Sequence, residues 1–245
     1  MSLSRAHILD VSHWSGRFKL PSNPPRPVDG IIQKLTEAIY LDEFYDQLKA
    51  DIQSVPIRGG YHYWRPQWSW RDQADKFLDA LTQDYHFWAL DVEKAMNYSG
   101  PKILNRPYPG FAEMLPLIMK YLTKEAGRPG LLYTGAGTWM DWLVPVHKEM
   151  LQYDLWVPHY WWKPDPEGIP NYFTIKGATN MRKDWKIWQY DPNAMGGRGR
   201  EFGMQSLGGD LNVFNGDVDE FRAWAVADIP HPDICPTCKQ SWPQE

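Results

Sequence analysis

An α/β fold with five βα units followed by three strands without helices, closed into an irregular TIM-like barrel, is predicted by three features of the sequence. The stretch 87–93, Phe-Trp-Ala-Leu-Asp-Val-Glu, carries five apolar residues in seven, which marks a strand buried on both faces. Apolar runs like it alternate with helically spaced apolar residues as far as position 151, after which the helical spacing stops. The length of 245 residues is close to the roughly 250 of a single α/β barrel.

The first strand is read at residues 7–12, followed by a loop rich in proline (Pro21, Pro24, Pro25, Pro27). Residues 30–35 form the second strand, and Leu41, Phe44, Leu48 and Ile52 then fall at helical spacing. The third strand, 57–63, precedes a helix over about 70–81 with Phe77, Leu78 and Leu81 on one face. Strand four is the 87–93 stretch. A loop containing Pro101, Pro107 and Pro109 leads to a helix over about 111–124, and residues 130–134 make strand five. One helix over roughly 137–151 completes the fifth unit. Residues 154–160, 185–190 and 211–214 read as strands with no amphipathic helix between them. Eight strands close such a barrel, and its site lies at the C-terminal rim.

Composition narrows the function. A net charge of −4 with 23% charged residues gives no electrostatic case for nucleic acid or an anionic membrane surface. The first seven residues lack the apolar core of a signal peptide, and no apolar run approaches the roughly 18 residues of a membrane span, so the expected product is soluble and made in the cytoplasm. Cys235 and Cys238 both lie in the last dozen residues, and the main body is expected to owe nothing to disulfides. Domain organisation is read as a barrel over 1–227 and a short tail over 228–245. There is no glycine-rich phosphate loop and no metal-ligand spacing among the seven histidines, so neither a cofactor nor a metal is expected. The 14 Trp, 13 Tyr and 9 Phe exceed what a core alone requires, and stacking on sugar faces is one use for the surplus.

The chemistry concentrates at the end of strand four. Residues i and i+2 of a strand project to one side, roughly 6.5–7 Å apart at Cα, so Asp91 and Glu93 share one environment and perturb each other's ionisation. Such a pair can hold a single proton at neutral pH, supplying an acid beside an ionised carboxylate. Other polar residues interrupt the apolar runs where the rim should be: Asp10, His62, Tyr133, His159, Gln189 and Tyr190. By composition alone Asp10 and Asp210 also fit turns, His62 between two tyrosines fits a hydrogen-bonded core histidine, and Trp188 fits core packing.

Together these residues resemble glycoside hydrolase family 25. The likeness is carried by Asp10-Val11-Ser12-His13-Trp14, Gly60-Tyr61-His62-Tyr63, Leu90-Asp91-Val92-Glu93, Trp188-Gln189-Tyr190 and Gly209-Asp210-Leu211-Asn212-Val213-Phe214, in this order over about 6–227. The resemblance implies a lysozyme acting on peptidoglycan glycan strands as a monomer, with Glu93 as general acid, Asp91 as its carboxylate partner, and Asp10 and Asp210 as further active-site carboxylates. Glu37, in an imperfect Lys-x-Thr-Glu element, Tyr61, His62, Tyr63, Tyr133, His159, Trp188, Gln189, Tyr190 and Asn212 are expected to contact the sugar. Without an export signal, the resemblance points to a phage or prophage lysin acting on the wall after release. Trp64, Trp68 and Trp70 depart from the family's usual pattern at the rim. A family 18 chitinase, the nearest rival, would need aspartates where His86 and Ala89 stand.

Overall fold

The structure, a computed structural model, describes residues 4–94, 108–160 and 185–227. Nine strands are present among them: β1 (His7–Val11), β2 (Gly30–Glu37), β3 (Tyr40–Leu41), β4 (Ile57–Tyr63), β5 (Phe87–Asp91), β6 (Gly130–Tyr133), β7 (Asp154–Pro158), β8 (Trp185–Asp191) and β9 (Asp210–Phe214). β3 is a two-residue hairpin partner hung on the end of β2. The other eight close a barrel. All neighbours from β1 through β8 pair in parallel, whereas β9 is antiparallel to both β8 and β1.

That reversal departs from a TIM barrel, in which every strand is parallel. Its cause lies in the connection. A parallel partner needs a crossover that carries the chain back across the barrel, and residues 192–209 hold only two four-residue helical turns. The chain leaves β8 at the C-terminal rim and re-enters β9 from the same rim.

The helices follow the sequence with instructive exceptions. α1 (Tyr45–Asp51) starts later than the apolar spacing predicts, because Leu41 pairs with Thr36 in the β2–β3 hairpin. α2 (Trp70–Ala80) is capped by the Ser69 hydroxyl accepting from the Asp72 N–H, and α3 (Phe111–Ala126) ends at Gly127 in the left-handed conformation. The single helix expected near 137–151 is instead broken into short α, π and 3₁₀ pieces over 136–150. Pro145 lies in that stretch, where it removes a backbone donor and crowds the preceding turn. α4 (Val218–Ala225) was not anticipated, although its Asp217/Glu220 capping box is a signal legible in sequence.

Alternate side chains along each strand face opposite ways. Outward residues such as Leu9, Trp88, Leu90, Leu132, Val157 and Trp188 form the layer beneath the helices, while Ile8, Ile32, Phe87, Ala89, Leu131, Trp156, Ile187 and Phe214 fill the barrel. At the bottom Phe221 and Trp224 of α4 pack on Phe87 and Phe214, with ring centroids 5.0–6.1 Å apart. Most of the aromatic surplus is therefore packing: Trp64, Trp88, Trp142, Trp156 and Trp188 are all fully buried. No helix among the described residues is long and apolar enough to cross a membrane. The 228–245 tail with Cys235 and Cys238, and the 95–107 segment holding Pro101 and Pro107, lie outside the described residues.

Gly130 is a tight point of the outer layer. A Cβ there would lie 2.1 Å from Cζ2 of Trp88, its partner across the sheet. Gly130→Ala is expected to destabilise the fold by about 1–3 kcal/mol, the usual cost of overpacking. Urea unfolding of the two proteins measures it, and equal midpoints would contradict the tight contact.

Candidate active site

The inward-facing residues at the strands' C-terminal ends line a cleft of about 500 Å³. Asp10 comes from β1, Lys34 from β2, Tyr61 and Tyr63 from β4, Asp91 from β5 with Glu93 two residues on, Tyr133 from β6, Trp156 from β7 and Gln189 from β8. Asp210 is the first residue of its strand, yet it reaches the same rim because β9 is reversed, and it stands in register opposite Asp10. The four predicted carboxylates thus converge on one cavity.

One side of the cleft is a hydrogen-bonded relay. Tyr133 donates its hydroxyl to Gln189 Oε1 at 3.0 Å, and the Tyr160 hydroxyl donates to the same oxygen. Trp156 donates its indole N–H to Asn212 Oδ1 at 2.8 Å. These bonds leave both amide NH₂ groups aimed at Asp10, whose Oδ2 accepts from Asn212 at 2.7 Å and Gln189 at 3.0 Å. Burial raises the Asp10 carboxyl above its ordinary range, and the Asn212, Gln189 and Asp210 bonds pull it part of the way back. Asp210 is pushed up to about 9, by burial first and then by the charge of Asp10. Two carboxyls so placed favour one shared proton over two charges.

Asp91 and Glu93 occupy the opposite side. Asp91 is buried, and its Oδ1 has no hydrogen-bond partner. Its carboxyl is held well above its ordinary range, first by burial and then by Glu93, against the pull of Lys34. Glu93 is open to the cleft by surface area but ringed by protein, and burial raises it more modestly, offset by the Tyr63 hydroxyl that donates to Oε2 at 3.4 Å. Lys34 is itself buried and paired with Glu37, whose other oxygen accepts from Arg65 Nε at 2.8 Å. Burial alone would raise Glu37; these two cations overcome it and leave the carboxyl below its usual value. Glu37 borders a second hollow of about 220 Å³ rather than the cleft, and Lys34 lines both.

Several expected sugar contacts lie elsewhere. His62 is fully buried between Thr36 Oγ1 at 2.7 Å and Gln73 Oε1 at 3.2 Å, and burial lowers it to about 4, so it is a neutral core histidine. Trp188 and Tyr190 flank the inward Gln189 and so point outward into the helix-covered layer. The Trp188 indole donates to the His159 carbonyl, and the His159 ring is not part of the cleft lining. Asn212 faces inward but acts beneath the surface, on Asp10. For His62, Trp188 and Tyr190 strand parity decides, and parity follows from register.

Other residues were missed. Lys34 and Trp156 share the inward parity of Ile32 and Tyr133, and the charge of Lys34 inside an apolar run was a visible signal. Tyr160 and Trp14 also line the cleft. Asp191 acts one step away: its carboxylate accepts the backbone N–H of Asn193 at 2.8 Å and Met195 at 2.7 Å. It thereby caps a left-handed turn in which Ala194 and Met195 have φ of 43° and 57°. The Ala194 N–H then holds the carbonyl of Gly209, the residue before Asp210, at 2.9 Å. Such strain persists only where surrounding bonds over-determine it.

The sequence matches the family described as Glycosyl hydrolases family 25 over residues 9–196. The protein YegX of Escherichia coli K12 is 26% identical over 228 residues, spanning 89% of this chain and 72% of the relative. The fold is shared with a bacterial lysozyme from Streptomyces coelicolor (TM-score 0.67, 23% identity, 91% of this chain and 98% of that one). It is shared equally with a muramidase from Trichobolus zukalii (TM-score 0.65, 22% identity, covering 90% and 99%). The catalytic domain of endolysin ply40 from bacteriophage P40 of Listeria monocytogenes superposes with a TM-score of 0.65 at 18% identity, covering 93% and 100%.

The raised carboxyls make a prediction about stability. Asp210 titrates near 3.8 when unfolded and near 9 when folded, so the folded chain binds the extra proton between those values. Its contribution to stability therefore falls as pH rises from about 4 towards 9. Asp210→Asn removes that penalty while an amide N–H replaces the bond donated to Asp10. Its melting temperature is expected to exceed the parent's by about 2–4 °C at pH 7, with the gain shrinking towards pH 4. Thermal scans at both pH values check this; a difference independent of pH would show that the carboxyl is not held protonated.

Proposed function

Because this chain belongs to glycosyl hydrolases family 25, we propose that it is a lysozyme that cleaves the β-1,4 bond between N-acetylmuramic acid and N-acetylglucosamine in peptidoglycan, with retention of configuration and assistance from the substrate's own acetamido group. The observation that carries the mechanistic reading is the buried, unpartnered Oδ1 of Asp91 beside Glu93. A buried acceptor left unsatisfied is costly, and the 2-acetamido N–H of the muramic residue is a donor suited to fill it.

The two carboxyls sit two residues apart along one chain, on one flank of any bound sugar. Direct displacement would require one of them to attack from the opposite face of the ring, the geometry that retaining pairs achieve across the scissile bond. The acetamido carbonyl oxygen is better placed. When its N–H donates to Asp91, ionised Asp91 is favoured and the proton shared by the pair rests on Glu93. The carbonyl oxygen then bonds to the anomeric carbon as the glycosidic bond breaks, and Glu93 gives its proton to the departing oxygen. The resulting oxazolinium ion keeps its N–H on the Asp91 carboxylate, which stabilises the positive charge. Glu93, now ionised, takes a proton from a water that adds to the anomeric carbon and reopens the ring, so configuration is retained. Asp10, fixed by Gln189 and Asn212, and Asp210 beside it orient the sugar through its hydroxyl groups.

The site of action under this reading is the bacterial wall, and the likeness of fold to an endolysin's catalytic domain fits a phage or prophage lysin. Turbidity loss of bacterial walls, measured beside a chitin assay with mass-spectrometric identification of the new reducing ends, tests the substrate; muramic acid at those ends is expected, and chitin cleavage without wall lysis would refute the reading.

Two further outcomes test the mechanism. Glu93→Gln keeps shape but removes the proton, and wall lysis is expected to fall about 10²–10⁴-fold with unchanged unfolding; a variant that lyses at parental rate would unseat Glu93. Walls whose muramic residues are de-N-acetylated should bind but turn over far more slowly. Parental turnover on them, or a glycosyl ester trapped on Asp91, would instead establish direct displacement.

A further inference from the structure

Among the described residues, several of the large apolar side chains that remain exposed lie around the cleft and the hollow beside it. Trp14 is 81% exposed and Tyr40 54%, with Leu41, Tyr160 and Leu207 on the same loops or beside them. Burying an aromatic ring is among the largest single gains available in folding, so a tryptophan held four-fifths in water needs a reason.

Trp14 is not left out on a loose loop. It sits in a 3₁₀ turn closed by a capping box between Ser12 and Ser15. Gly16 ends the turn at φ 69°, where a Cβ would lie 2.7 Å from Gln205 Oε1. The turn is laced to the loop before β9 by bonds from Gln205 N–H to the Arg17 carbonyl at 2.9 Å and from Ser206 N–H to the Ser15 carbonyl at 3.0 Å. From behind, the His13 ring lies 4.6 Å from the indole, and Asp42, its side chain wholly covered, accepts both the backbone N–H of His13 at 3.1 Å and its Nδ1–H at 2.7 Å. An exposed indole is thus clamped by a buried carboxylate through an intervening imidazole.

This pair straddles two cavities. Trp14 lines the catalytic cleft, His13 lines the 220 Å³ hollow next to it, and Lys34 forms the wall common to both. Tyr40 also lines the hollow, with its ring edge-on to Trp68 at 5.9 Å. Tyr40 and Leu41 belong to β3, whose hairpin turns at Ala38 with φ 49° and so projects the aromatic ring over the hollow's edge.

We propose that Trp14 and Tyr40 form a saccharide-binding track that continues from the cleft into the hollow, stacking on the apolar faces of N-acetylated amino-sugar rings beyond those flanking the cleaved bond. The inference rests on the peptidoglycan reading above and deepens it: the enzyme is built to hold a strand rather than a disaccharide. Stacking needs only a ring face, so the track is indifferent to the stem peptide, while the prepaid order of the Asp42–His13–Trp14 clamp lowers the cost of binding.

The test uses the full chain carrying Glu93→Gln, so that fragments bind without being cut, and calorimetry with two probes: a peptidoglycan disaccharide and an octasaccharide. The octasaccharide is expected to bind at least ten-fold tighter. Adding Trp14→Ala or Tyr40→Ala should erase about ten-fold of that difference, whereas Trp14→Phe should keep most of it, which separates stacking from a general loss of structure. Equal affinity for the two probes, or full length dependence in the Trp14→Ala and Tyr40→Ala proteins, overturns the track while leaving the catalytic reading intact. A chain that lyses no walls and binds neither probe overturns both.

Discussion

The antiparallel pairing of β9 with β1 sets Asp210 directly opposite Asp10, and the site depends on that contact. Had the last strand run parallel to its neighbours, Asp210 at its start would lie at the barrel's far end, near Phe87 and Phe221. Reversal brings a second carboxyl to within hydrogen-bonding reach of Asp10 in a place with little water. Two such groups cannot both ionise there, so one proton stays, and the floor of the cleft presents an acceptor and a donor side by side.

The rest of the cleft answers the same electrostatic constraint from the other side. Asp91 is buried beside Glu93, and Lys34, a cation lining the same cleft, is already engaged by Glu37, which Arg65 also holds. Full neutralisation is withheld. The four carboxyls consequently lie above their ordinary ranges, a state that weakens the fold at neutral pH and keeps protons available for transfer. The protein offsets this by packing: a plug of four aromatic rings at the barrel's base and an outer layer filled by tryptophans.

Precision is supplied at one remove. Asn212 and Gln189 have their amide orientations dictated by Trp156, Tyr133 and Tyr160, and only then can both aim their NH₂ groups at Asp10. Asp191 spends backbone strain to hold Gly209, and Gln73, itself bonded to the buried His62, holds the loop that delivers Arg65 to Glu37. Asn212, Asp191 and Gln73 line no part of the cleft, yet the rim geometry follows from them.

Strand existence and order, and the convergence of Asp10, Asp91, Glu93 and Asp210, were legible in the sequence, because period-two burial and i, i+2 geometry are local and the motif order carries the family's pattern. Local spacing could not reveal which side of the sheet each residue faces. His62, Trp188 and Tyr190 read as rim residues and proved to be outward packing, while Lys34 and Trp156, read only as members of their strands, proved to line the cleft. A one-residue change of register exchanges those two sets, and register is settled by pairing with strands distant in the chain. The sequence by itself determined the eight barrel strands and the acid pair. The pairing of β9 with β1, the meeting of Asp10 with Asp210, and the clamp that holds Trp14 in water were decided only by tertiary structure, since each rests on residues far apart in the chain whose contact no local pattern encodes.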